Sequence, residues 1–196
     1  MSAHIQKWQA EHANYRKLLD LLQTQTATFV RGEEPDYELM ADIVYYMTQY
    51  PDRYHHPRED AAYSRLLAHD PQAGTLIAEL ADEHRSIAES GARLAADLGA
   101  AAAGAMMPRA TLQADVRDYA TFLKDHMALE EREMFPRLAA SLGADEWFLV
   151  DSAIHLAGDP IFGETVQERF KSIHRRIAGQ AGCGCNEPTD TACCLE

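Results

Sequence analysis

Each of four amphipathic stretches in this chain carries a histidine where its apolar stripe calls for a leucine or isoleucine: His12, His55, His84 and His126. Two of them are followed four residues later by a glutamate on the same stripe, pairing His55 with Glu59 and His126 with Glu130. Residues four apart stack on one face of a helix, so each pair can point at one spot. The spacing repeats as well, with His12 and His55 separated by 43 residues and His84 and His126 by 42. The chain therefore reads twice as a histidine, about forty residues, and then His-x-x-x-Glu, the pattern of two related helical hairpins.

The 3.6-residue apolar period recurs along the chain and alternating strand patterns are nearly absent, which predicts an all-α fold. A first helix is expected over residues 3–30, with Trp8, His12, Tyr15, Leu19 and Leu22 inward and Arg31-Gly32 closing it. A second begins near Pro35-Asp36 and carries Met40, Ile43 and Met47 toward His55, Glu59, Ala62 and Leu66. Asp70-Pro71 supplies the N-cap and first-position proline of a third, whose stripe includes Leu80, His84, Ile87, Gly91 and Leu94. The small-residue stretch 99–108 reads as a flexible connection to a fourth helix that ends by Gly143. A short helix at 144–156 follows. A last amphipathic helix opens at Asp159-Pro160, with Phe162, Val166, Phe170, Ile173 and Ile177 inward. The expected architecture is an up-down-up-down four-helix bundle with an appended C-terminal helix over residues 1–178. A flexible cysteine-rich tail is expected at 179–196.

The heights of the histidines agree. About 18 residues separate His12 from the end of its helix and about 19 separate the start of the next from His55, so antiparallel packing at ~1.5 Å per residue sets the two level. The second hairpin, with arms of about 15 residues, matches similarly. Six side chains from four helices then meet in one layer of the core. A lone histidine on an apolar face is usually an ordinary hydrogen-bonded core residue. Four at matched heights, two of them paired with acids, are harder to read that way. Two ionised carboxylates in an apolar core would cost many kcal/mol each without a cation, and no lysine or arginine lies on the stripes.

A metal is the natural neutraliser. Imidazole and carboxylate without thiolate suit iron, manganese or zinc. A closed structural zinc site takes four ligands, which six donors overfill. Two bridging carboxylates and four histidines would give each of two ions two nitrogens and two oxygens, leaving an open position for water, hydroxide or a small diatomic.

The segment YPDRYHHPRED at 50–60 complicates the second helix, because proline in a helix interior costs ~3 kcal/mol and disfavours helical geometry in the residue before it. The proline-free HMALEE segment of the fourth helix uses the same four-residue offset, so His55 and Glu59 are expected on one helix. Pro57 then predicts a kinked, distorted turn at 53–57, stabilised by metal. His56 also lies within reach of Glu59, and is read as a neighbour of the site rather than a ligand. Tyr15 and Tyr119, each about a turn from a ligand, are read first as core aromatics that could also hydrogen-bond a metal-bound oxygen species. Glu131 and Glu133 are expected on an outer acidic face, and His4, His69, His155 and His174 in solvent.

A net charge of −13 argues against nucleic acid or an anionic membrane as partner. No apolar run approaches the ~20 residues of a membrane span, and the N-terminus turns polar too early for a secretory signal. A cytoplasmic location is expected. All four cysteines, Cys183, Cys185, Cys193 and Cys194, fall in the tail, so the body of the protein is held together without them. There they could bind a soft metal, exchange disulfides, or pass iron or electrons.

These residues resemble the hemerythrin-like, HHE cation-binding family of di-iron four-helix bundles. The matching elements are His12, YHHPRED, Glu83-His84 and HMALEEREMFP, with DPIFG at 159–163 similar to a C-terminal segment of bacterial members. The resemblance implies two iron ions, with manganese or zinc as alternatives, held by His12, His55, Glu59, His84, His126 and Glu130. It makes Glu59 and Glu130 the bridging carboxylates, alongside an oxo or hydroxo group.

Two positions depart from the oxygen-carrying hemerythrins. Ala88 stands where those have a second histidine one turn after His84, and Glu130 lies four residues after His126 where those have an aspartate five after. A more carboxylate-rich centre is similar to proteins implicated in repairing damaged iron centres, although their separate N-terminal cysteine module is missing here. The reading this supports is a non-haem di-iron protein that binds or reduces oxygen, peroxide or nitric oxide in stress defence or iron-centre repair. It carries a possible redox or iron-sulfur partner. The alternatives are an iron sensor or store that acts without turnover, and a metal-free helical bundle.

Overall fold

The computed structural model describes residues 2–154 and 158–180, and among these it is all helical, without a strand. The first helix, α1 (Ala3–Ala27), is capped by the Ser2 side chain and tightens into a 3₁₀ turn at Thr28–Arg31. Gly32 then stops it at φ 72°, the left-handed conformation glycine adopts without strain. Asp36 caps α2 (Tyr37–Gln49) by accepting from the Leu39 N–H. The Asp70 side chain accepts from the Gln72 N–H and starts the 3₁₀ turn leading into α4 (Gly74–Ala102). That helix runs on through Gly99 to Ala102, so the connection expected at 99–108 shrinks to 103–108 and opens on a turn at Gly104 (φ 89°). Alanine, the best helix former, carries the helix past the glycine.

The second and fourth stripes are each interrupted by a π turn. Residues Pro51–His55 form one between α2 and α3 (His56–His69). Residues Glu130–Met134 form the other between α5 (Arg109–Leu129) and α6 (Phe135–Ser141). Both end two residues before a proline, Pro57 and Pro136. At the exits the His56 N–H bonds to the Pro51 carbonyl and the Phe135 N–H to the Glu130 carbonyl, each across five residues. A proline has no N–H to place in the α ladder, so a one-residue slip of register just before it sacrifices no bond. The distortion expected at 53–57 is therefore a widened turn that starts at Pro51, not a kink centred on Pro57.

Helix α1 packs against α5 and α2, and α4 against α2 and α5, while α3 lies against α4, α6 and α7 (Ala144–Ala153). The last helix, α8 (Lys171–Gln180), lies on α2 and α1. It begins at Lys171 rather than at Asp159 and continues two residues past the boundary expected at 178. Asp159 explains the late start. Its side chain accepts from the N–H groups of Ile161 and Phe162, and its carbonyl accepts from Gly163, folding 159–163 into a turn. A Cβ on Gly163 would lie 2.4 Å from the Asp159 carbonyl oxygen, so the turn needs glycine there.

The buried apolar residues fall into two clusters. One gathers Leu18, Leu22, Ile43, Met47, Ile87, Leu123 and others, and the second gathers Ile5, Trp8, Leu66, Leu80, Met134 and Leu138. His12, His55, Glu59, His84, His126 and Glu130 belong to neither and are all buried. No helix among the described residues is long and apolar enough to cross a membrane. Cys183, Cys185, Cys193, Cys194 and His155 lie outside the described residues.

Candidate metal centre

The layer is built from carboxylates inside and carboxylates outside, with imidazoles between. Glu59 and Glu130 are fully buried at 0 % exposure. Around them, His55 Nε2 stands 3.1 Å from Glu59 Oε1 and His126 Nε2 stands 3.3 Å from Glu130 Oε1. His12 Nε2 lies 3.6 Å from Glu59 and 3.5 Å from Glu130, and His84 Nε2 lies 3.7 Å and 3.5 Å from the same two. Each glutamate is thus within 4 Å of three imidazole nitrogens supplied by different helices. The six residues picked out by spacing are brought together.

Each of the four histidines turns its other nitrogen to an acid. The Nδ1 distances are 2.6 Å from His55 to Glu11, 2.7 Å from His126 to Glu83, 2.9 Å from His12 to Glu131, and 2.9 Å from His84 to Asp60. A carboxylate can only accept, so each Nδ1 carries the hydrogen and each neutral ring keeps its Nε2 lone pair for the centre. The pattern is two-fold. The acid preceding His12 serves His55 and the acid preceding His84 serves His126. The acid following Glu59 serves His84 and the acid following Glu130 serves His12. Glu131, expected on an outer face, is therefore an orienting residue, and it also accepts from Arg16 at 3.0 Å. Glu133 remains exposed. A usable signal was present in the Glu-His pairs 11–12 and 83–84 and in the acids that directly follow Glu59 and Glu130. Helical phase alone puts adjacent residues on different faces, and so hid it.

Arg58 is a second finding the stripes did not show. It is 2 % exposed and donates to Glu11 at 2.7 Å and to the Tyr54 carbonyl at 2.8 Å. It neutralises the outer Glu11, not the inner pair. Burial favours the neutral form of Glu11, but His55 and Arg58 prevail and hold its carboxyl down at about 2. Burial likewise opposes charge on His55 and His126, yet the surrounding carboxylates raise each to about 9. His84 is raised to about 10 against the same opposition, with Asp60 and Glu130 the main causes. Without a cation the two inner glutamates can be balanced only by protons on these rings.

The donor set fits a cation better than it fits those protons. Both oxygens of Glu59, Oε2 of Glu130, and Nε2 of His84 and His126 are buried without a hydrogen-bond partner. His12 Nε2 and His55 Nε2 face each other at 2.9 Å, although each ring already commits its hydrogen to an outer acid. Unpartnered buried polar atoms cost on the order of 1–3 kcal/mol each, more when charged. Donor atoms within 4.8 Å of one another form three groups: His12, His55 and Glu59; Glu59, His84 and Glu130; and His56, His84 and His126.

The flanking residues divide. Tyr63, which the stripes did not single out, donates to Glu130 Oε1 at 2.5 Å. Tyr15 packs its ring edge-on to His55 at 5.2 Å, and its hydroxyl has no partner. The Tyr119 hydroxyl is also unpartnered and packs against Gly91, where a Cβ would stand 3.3 Å away. His4, expected in solvent, stacks on Trp147 at 4.5 Å and bonds to Asp151. His69 is exposed and His174 half-buried.

The hemerythrin HHE cation-binding domain matches residues 3–138, which takes in every donor in the layer. The chain belongs to this family. No curated protein and no solved structure matches it significantly. As a hemerythrin-like HHE protein it is a metal-binding helical bundle, and its His/Glu groups could hold the ion.

Proposed function

We propose that this hemerythrin-like protein holds two iron ions and binds or reduces a small oxidant (oxygen, peroxide or nitric oxide) in the cytoplasm. The bundle runs up-down-up-down. Glu59 and Glu130, with His12 and His55 on one side and His84 and His126 on the other, would hold the ions. The observation that carries the reading is the convergence of six buried carboxylate and imidazole side chains from four helical stretches, four of them with unpartnered atoms, on one layer between two apolar clusters.

When bound in the ferrous state, the pair would supply two electrons, the number needed to take peroxide to two waters. The chain's own residues do the rest. Glu11, Glu83, Asp60 and Glu131 fix the Nδ1–H tautomers and so aim four Nε2 lone pairs inward. Tyr63 holds one Glu130 oxygen through its hydroxyl proton. Trp8 and Phe135 wall the layer off from water on the His12 and His55 side.

Anaerobic ferrous protein mixed with peroxide or nitric oxide tests this. Stoichiometric loss of the oxidant, with a new optical band, is expected. Iron-loaded protein indifferent to oxygen, peroxide and nitric oxide would contradict oxidant chemistry and leave a sensor or store.

A further inference from the structure

Neighbouring residues of an α-helix point about 100° apart, as Glu11 and His12 do in reaching opposite nitrogens of His55. His55 and His56 nonetheless both reach the buried layer, at 1 % and 5 % exposure. The backbone explains how. The π turn Pro51–His55 ends between them, and its extra residue re-aims the chain before α3 begins at His56. His56 keeps helical φ and ψ of −56° and −42° although a proline follows, a combination that is disfavoured. The other half of the molecule has no such device. Its π turn lies beyond His126, at Glu130–Met134, and the residue after His126 is Met127, which packs in an apolar cluster.

The His56 ring stacks on His84 with centroids 4.4 Å apart and planes 15° from parallel, and meets the His126 ring edge-on at 5.9 Å. Donor atoms of His56, His84 and His126 lie within 4.8 Å of one another. Its Nδ1 faces Asp52 at 3.2 Å, as the Nδ1 atoms of the other four rings face their acids. That Asp52 oxygen is not aligned for a hydrogen bond, so the contact alone does not account for burying the ring.

We propose that His56 is a fifth imidazole donor to the centre, which makes the two ions unequal: His56, His84 and His126 serve one, and His12 with His55 serves the other. The inference rests on the two-metal reading above and adds a residue to it.

The test is iron binding and Mössbauer spectroscopy on the full chain, comparing wild type with His56→Ala, His56→Gln and His84→Ala. Wild type should bind two irons that give two distinct quadrupole doublets. Both His56 variants should bind one iron at least tenfold more weakly and shift one doublet while leaving the other in place. Circular dichroism of the metal-free variants identifies any folding defect, and His56→Gln keeps the volume if His56→Ala is unstable. Two irons bound with wild-type affinity and unchanged doublets in a folded His56 variant, while His84→Ala loses iron, would overturn this inference alone. A wild-type chain that takes up no iron would overturn it together with the two-metal reading.

Discussion

At the scale of single residues, the outer acids carry as much of the argument as the donors. Glu83 and Asp60 each orient one imidazole through Nδ1. Loss of such an orienting carboxylate typically weakens metal binding ~10–100-fold. Glu83→Gln and Asp60→Asn should therefore lower iron affinity by that factor in a chelator competition, whereas Glu133→Gln, on the exposed face, should leave it unchanged. Equal affinity in all three would remove the orienting role.

Gly91 makes a separate prediction about packing. A Cβ there would meet the Thr48 methyl at 3.0 Å and Tyr119 at 3.3 Å. Gly91→Ala gains helix propensity of ~1 kcal/mol but overpacks at a cost of ~1–3 kcal/mol. Denaturant unfolding should show a net loss of stability without loss of bound iron. His12, His55, Glu59, His84, His126 and Glu130 were legible because helical period and height are arithmetic on the chain. Glu11, Glu131, Asp60 and Arg58 were not, because their partners lie on other helices and their side chains reach around the stripe.

At the scale of elements, the two π turns are the structural cost of the site. A slip of one residue changes the face that every later side chain presents, and each slip ends where a proline has already removed a donor. Pro57→Ala restores that donor and lets Pro51–His55 relax toward α geometry. The variant should keep its helicity and its metal-free thermal stability but lose iron, because α3, with Glu59 on it, rotates relative to α2 and out of line with the donors of the other helices. Full iron content in Pro57→Ala would show that the turn is set by packing alone. The sequence contained both prolines, yet periodicity assumes 3.6 residues per turn throughout and could place the distortion only in the turn before Pro57, at 53–57. The late start of α8 has a similar origin. DPIFG looks like a helix start by its Asp-Pro, but Gly163 and the two N–H groups bonded to Asp159 close a turn first.

At the scale of the whole molecule, a layer of charge lies between two apolar clusters, and neither cluster can neutralise it. A cation that binds only the folded chain stabilises it by about 4 kcal/mol when present at a thousand times its dissociation constant. For a chain of this size each kcal/mol moves the melting temperature ~2–4 °C. Chelation should therefore lower it by roughly 8–16 °C per ion, and re-addition of ferrous iron should restore it. An unchanged melting curve would place the metal outside the fold's stability.

The most direct test of the central claim is metal content per chain in protein purified from iron-replete cells, measured by elemental analysis alongside His126→Ala. Two irons per wild-type chain, with a clear loss in His126→Ala, is the predicted result. Less than one metal ion per wild-type chain, or the same content in both proteins, would contradict it.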